Sequence, residues 1–291
     1  MTVRAEDVHF ETKDWGLLLS LSAIWGSSFL LTAIALDAFE PGLVTLFRVG
    51  FGALTLAGLP GVRGKIPRRD LAKCAAVGFT WMAFPLTLFP IAQQWIDSSV
   101  AGMLNSAMPL MTVLIAWLAF STPTGPRRLA GVGVGLIGIL FIGIPEASSA
   151  GTNAVGVLLV VVAVGSYGVA ANLAGPLQRE YGALPVASRA LSFAAVFCVP
   201  YGLVGIADSS FAWGSLIACL AIGIGGTGIA YAIAVTLSGR VGAVRFSIVT
   251  YIIPPISVLL GVVFRDESIS TWAIVGTAIV LSGAYLSSRV D

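Results

Sequence analysis

The sequence keeps its acids out of its apolar interior. All fourteen aspartates and glutamates lie in the N-terminal stretch, in short connections or at the edges of apolar runs, and the single histidine is His9. Only 10% of the 291 residues are charged, against about 25% in an ordinary soluble domain. This scarcity excludes several functions. A metalloprotease needs a helical HExxH pair and an aspartyl protease needs two carboxylates sharing one site; neither pattern is present. A net charge of +2, with the basic residues not gathered on one face, argues against nucleic acid as a partner. The three cysteines, Cys74, Cys198 and Cys219, sit inside apolar runs. Their odd number fits neither a disulfide framework nor a metal-spacing motif. They read as small core residues, and no cofactor is implied.

What the sequence has instead is apolar length. Hydrophobic residues make up 57% of the chain and the mean hydropathy is +0.95. Ten apolar segments follow one another: 15–36, 42–59, 71–92, 98–120, 128–145, 153–174, 184–206, 212–237, 243–264 and 269–287. Each approaches the roughly 17–25 residues that cross a hydrocarbon core as a helix. Helices are required because lipid offers no partners to unpaired backbone groups. Residues 1–14 read as a polar tail, followed by a retained first span with no cleavage pattern. With that tail in the cytoplasm, thirteen Lys and Arg fall on the inner side and only Arg265 on the outer. Both termini are therefore expected in the cytoplasm, in a bacterial inner membrane.

The two halves echo each other. An offset of 145 aligns Pro109 with Pro254, Asn105 with Thr250, Thr112 with Ser257, Gly131 with Gly276 and Gly138 with Gly283; near the start of each half an offset of 141 aligns Arg48 with Arg189. Five segments per half is an odd number, so the second half must enter the membrane upside down. That predicts two inverted repeats, 15–145 and 153–287, joined by an extracytoplasmic linker at 146–152, with a site near mid-membrane.

The residues "WGSSF" at 25–29, Arg48, "NSAMPLMTVLIAWLAF" at 105–120, the glycine-rich fifth segment and their second-half echoes resemble the EamA-type branch of the drug/metabolite transporter superfamily. The resemblance spans the chain and implies an all-α integral membrane carrier of ten transmembrane helices, with members that export amino acids, aromatic ones included. Two positions depart from the family pattern. The counterpart of "WGSS" is "GSYG" at 165–168, without the tryptophan. Met108 stands where many members carry a glutamate.

Candidate substrate-binding residues fall on helical stripes. Gly102, Asn105, Pro109 and Thr112 share one face of the fourth segment; Ser247, Thr250, Pro254 and Ser257 share one face of the ninth, beside Tyr251 and Pro255. These stripes either face a central cavity, with prolines freeing carbonyls toward it, or join helices, a common use of small polar residues in membranes. Ser22, Trp25, Phe29 and Thr32 share a face of the first segment, with Ser28 beside it; Trp25 lies too deep for the interfacial belt. Ser166, Tyr167 and Asn172 in the sixth segment, Trp81 in the third and Tyr231 in the eighth complete the set.

A second group is read as gating or structural: Gly26, which permits close approach or bending, Pro85 and Pro90 beside bulky aromatics, and the arginine pair Arg48 and Arg189. Arg48 lies about 9 Å along its helix from the outer end and either snorkels outward or takes carbonyls, Asp37, Glu40 or a substrate carboxylate as partners; Arg189 snorkels inward. "GIGGTG" at 223–228 spells a dinucleotide fingerprint but lies in a membrane span, where a flexible gate or close packing is the better reading. The GxxxG-like fifth segment predicts tight contact with another helix or with a second copy in a homodimer.

The sequence therefore predicts a carrier of small amphipathic metabolites in the lipid bilayer, amino acids first, working by alternating access as a uniporter or facilitated exporter. Proton-coupled carriers hold Asp, Glu or His within the membrane. A multidrug or sugar/nucleotide-metabolite carrier is the alternative, and a non-transporting membrane scaffold the alternative of another class.

Overall fold

The computed structural model describes residues 11–148 and 153–288. Most of the tail and linker named above, with His9 and Arg289, lies outside them. Helix is the regular structure of the described residues, with no strand among them. The helices are α1 (Thr12–Leu36), α2 (Pro41–Ala57), α3 (Arg68–Ala92), α4 (Ser98–Asn105), α5 (Met108–Ala119), α6 (Pro126–Ser148), α7 (Asn153–Tyr181), α8 (Ala183–Val204), α9 (Trp213–Gly242), α10 (Ile248–Arg265) and α11 (Thr271–Ser288).

Eight of these are long and apolar enough to cross a membrane; α4 and α5, bent by 46° at a short break, make a ninth if taken as one span. This is fewer than the ten segments expected, for two physical reasons. At 17 residues, α2 is about 26 Å long, a little short of the roughly 30 Å hydrocarbon core. The fourth segment is broken at Ser106 and Ala107, so that Pro109 falls in the first turn of α5, where its missing N–H costs nothing. Its mate Pro254, by contrast, sits with Pro255 inside the unbroken α10.

Two further irregularities escaped periodicity. α3 widens into a π-helical turn at Phe79–Ala83, and α9 does so at Ala221–Ile229, which contains "GIGGTG". Such turns shift the ladder from i−4 to i−5 and leave carbonyls for other donors.

Glycines set how closely the helices approach. A Cβ on Gly131 would lie 2.7 Å from the Gly283 carbonyl oxygen, and one on Gly138 would lie 2.7 Å from that of Gly276. α6 and α11 therefore touch backbone to backbone. The glycine face of α6 is used within the chain, so a second copy would need another surface. Gly26 on α1 receives Ile256 of α10, and Gly168 on α7 receives Met111 of α5. Gly78 on α3 meets the Ala190 carbonyl of α8, while Gly223 on α9 meets those of Phe47 and Arg48 on α2. The three cysteines are free and buried, as core residues should be. Large apolar side chains such as Leu54, Leu158 and Val204 point outward, an arrangement suited to lipid rather than water.

Candidate functional site

Between these helices lies a cavity of about 500 Å³, within the roughly 300–1,000 Å³ of small-molecule sites. It gathers eight of the eleven residues proposed for substrate: Trp25, Ser28, Phe29, Trp81, Asn105, Tyr167, Tyr231 and Thr250. Arg48, Gln93, Gln178, Thr227 and Phe246 join them. Pro109, Tyr251 and Pro254 are not on the lining; Tyr251 packs instead against the largest apolar core. Of the gating group, Gly26 is filled by Ile256, Pro85 and Pro90 are buried behind the wall, and Arg189 is exposed.

The walls are aromatic. Trp25 packs edge-to-face on Tyr231 (6.3 Å between ring centres) and on Phe246 (6.4 Å), and Tyr231 meets Trp81 in the same way at 5.4 Å. Across the cavity Phe29 contacts Phe89 at 5.7 Å, and Phe89 stacks on Tyr167 at 6.2 Å. Each such pair adds about 0.5–1.5 kcal/mol beyond area burial, so the rings form two stiff panels.

Both π turns serve this wall. The Trp25 indole N–H donates to the Gly226 carbonyl at 3.2 Å, and the Ser166 hydroxyl donates to the Thr80 carbonyl at 2.7 Å. Thr227 hydroxyl donates five residues back to Ile222. The prolines act one step away from the lining. A proline cannot donate to the residue four positions earlier. For Pro90 and Pro254, which stand inside helices, those residues are Leu86 and Thr250, both on the lining. The Leu86 carbonyl is taken by the Thr45 hydroxyl at 3.1 Å.

The polar stripes divide between the two uses foreseen for them. Asn105 and Thr250 face the cavity. Gly102 and Ser257 face each other between α4 and α10, and the Thr112 carbonyl accepts from Asn172 on α7. Hydroxyls of Ser28 and Thr32 donate to carbonyls one turn back, which leaves their oxygen lone pairs as acceptors.

Arg48 is the one charged residue on the lining among the described residues, and no Asp, Glu or His lies there. It pairs with neither Asp37, which holds Arg265 through two bonds of 2.8 and 2.9 Å, nor Glu40, whose backbone N–H donates to Ser209. Gln93, at the end of α3, has both side-chain polar atoms buried without a hydrogen-bond partner. Neither Gln93 nor a cavity-lining Arg48 stood out in the sequence as a binding residue. The signals were a guanidinium inside the second apolar segment, for which a substrate carboxylate was one possible partner, and an amide just past the end of the third.

The cavity has one closed and one open end. Phe29, Thr32 and Phe89 are buried, and beyond them lie the Asp37–Arg265 pair and the Glu267 carboxylate. Glu267 accepts from the backbone N–H groups of Ser98 and Ser99 at 2.9 and 3.0 Å, capping α4. Desolvation of the carboxyl, and then the Glu267 charge, push the neighbouring Asp97, exposed as a whole, above its ordinary range. At the other end Gln178 and Ser238 are half-buried and Gly239 is exposed. There Arg240 ties α9 to Asp14 at the start of α1.

Comparison with known proteins agrees with this architecture. A "Probable terminal-alkyne amino-acid exporter" of Streptantibioticus cattleyicolor is 26% identical over 284 residues, covering 94% of this chain and 93% of that protein. An "Uncharacterized inner membrane transporter YedA" of Escherichia coli is 24% identical over 285 residues, covering 94% and 92%. One solved crystal structure superposes with a TM-score of 0.63 at 20% identity, covering 96% of this chain and 98% of the other, a likeness of fold alone. The EamA-like transporter family model matches twice, over residues 15–144 and again over 154–289. With nearly the whole chain accounted for in this way, the protein belongs to the EamA-like transporter family.

Proposed function

We propose that the protein exports small amphipathic metabolites, amino acids first and aromatic ones among them, by alternating access around the aromatic cavity. The observation that carries this reading is the cavity itself, which draws its lining from both regions that match the family. Rings suit apolar or aromatic side chains, while unpaired amides and loosened backbone suit a polar end group. The name of the Streptantibioticus relative points toward amino acids.

The reading includes ten spans in two inverted five-helix repeats, with both termini cytoplasmic in an inner membrane. Its support is an exchange of partners. A two-fold relation between halves turns every contact into a second one with the roles swapped. With the 145 offset, Gly131–Gly283 becomes Gly138–Gly276. With an offset near 142 in the first segments, Gly26–Ile256 becomes Gly168–Met111. The bond from Trp25 to the second π turn has a near-counterpart in that from Ser166 to the first. Since the lining holds no carboxylate or imidazole among the described residues, the substrate gradient supplies the drive, as in a uniporter.

Counterflow in proteoliposomes against a panel of amino acids tests this. Trp25→Ala and Asn105→Ala are expected to cut flux several-fold in protein that remains monodisperse. Folded protein that exchanges no amino acid overturns the reading. Variants that lose stability but keep flux per folded molecule favour the scaffold.

A further inference from the structure

We infer that the cavity selects its substrate by a single carboxylate, held on Arg48, and does not require an ammonium group. The inference rests on the cavity being the substrate site of the carrier proposed above. It starts from charge. Arg48 brings one positive charge to a lining with no acidic residue to balance it. Its one hydrogen bond among the described residues runs from Nε to the Thr227 hydroxyl at 3.5 Å, too long to satisfy it. The remaining guanidinium donors are a fork of the shape a carboxylate accepts. Such a charge in a low-dielectric wall is costly until an anion arrives.

The neighbouring groups fit the same ligand. Gln93 offers a buried amide with neither atom paired, and an unmet donor of this kind gains most from a charged acceptor. The rings of Tyr167 and Tyr231 lie within electrostatic reach of Arg48, and Asn105 shares the cavity. In the same cavity, the Trp25–Tyr231–Trp81 panel accepts an apolar or aromatic body. A cation meets the opposite conditions: a like charge on the wall and no carboxylate among the lining residues. An amino acid therefore enters as a carboxylate that happens to carry an ammonium, which rests against ring faces. This separates the site from one built for cationic drugs.

The test uses the full chain in detergent, with binding read by calorimetry for three probes that share a phenylethyl frame. L-Phenylalanine carries both charges, 3-phenylpropionate lacks the ammonium and 2-phenylethylamine lacks the carboxylate. The two acids are expected to bind within about tenfold of each other, and the amine at least about tenfold more weakly. Arg48→Gln should weaken both acids by at least about tenfold and leave the amine unchanged or tighter. Arg48→Lys should recover part of the loss, because it restores the charge without the fork. The inference is overturned if the amine matches 3-phenylpropionate, if Arg48→Gln leaves the acids unaffected, or if none of the probes binds. Should Arg48→Gln fail to fold, the wild-type ranking decides alone. Correct ranking without counterflow would sink the carrier reading and leave this one standing; counterflow with inverted ranking would do the reverse.

Discussion

Gly138 stands at a backbone-to-backbone joint between α6 and α11, and replacing it gives a prediction whose size follows from geometry. A Cβ there would stand 2.6 Å from the backbone nitrogen of Val280 and 2.7 Å from the Gly276 oxygen, where ordinary contact begins at 3.4 Å. Neither atom belongs to a side chain that could rotate away. Gly138→Ala must therefore part α6 and α11 by roughly 0.7 Å, which forfeits close packing along both helices. Overpacking of this kind costs about 1–3 kcal/mol. Removing a mid-helix glycine returns only about 0.5–1 kcal/mol, so the net loss of stability falls between about 0 and 2.5 kcal/mol, centred near 1. Gly133, on the same helix, has nothing within 4 Å of its built Cβ; Gly133→Ala collects the gain without the clash. Thermal unfolding of the detergent-solubilised protein should rank Gly133→Ala at or above wild type and Gly138→Ala below it. Neither helix lines the cavity, so flux per folded molecule should survive. Equal melting temperatures for the two variants would refute the backbone contact and, with it, the packing of the two glycine helices.

Two further perturbations address the closed end. Asp37→Asn removes an exposed ion pair worth up to about 1 kcal/mol; it should barely change unfolding, yet speed thiol labelling of a Thr32→Cys reporter by up to about fivefold. Unchanged labelling would rule out the Asp37–Arg265 pair as a latch. Asp97 has a pKa raised by desolvation of its carboxyl and then by Glu267. The folded protein thus holds that proton more readily than the unfolded chain, so this residue's contribution to stability falls as pH rises from near 3.8 through the raised value. Asp97→Asn should flatten that slope and raise the melting temperature at neutral pH; a wild-type-to-variant difference independent of pH would contradict it.

Much of the site was legible because deep polar and aromatic residues are rare in apolar segments and stand out. Trp25, Asn105, Tyr167, Tyr231 and Thr250 were found in this way, and all reach the cavity. The stripes were less informative beyond those positions. Straight helical spacing groups Asn105 with Gly102 and Thr112, yet the break before Pro109 turns α5 by 46° relative to α4. The π turns have the same effect. One extra residue per turn rotates everything after it by about 100°, so Gly226 and Thr227 arrive on a face that simple counting would not give them. Arg48 was read as gating because its partners could not be known from sequence; Arg265, distant in the chain, had taken Asp37.

The sequence by itself determined that this chain is a membrane protein, that it is helical and that its halves are related. These follow from local quantities: an unpaired backbone group is too costly in lipid for any other solution, and a duplication is written in residue spacing. Only the tertiary structure decided which polar groups face the cavity and which join helices. That choice depends on the rotation of each helix about its axis, set by glycine contacts such as Gly26 on Ile256 and Gly168 on Met111. No single segment contains that information, because each contact is completed by a residue more than fifty positions away.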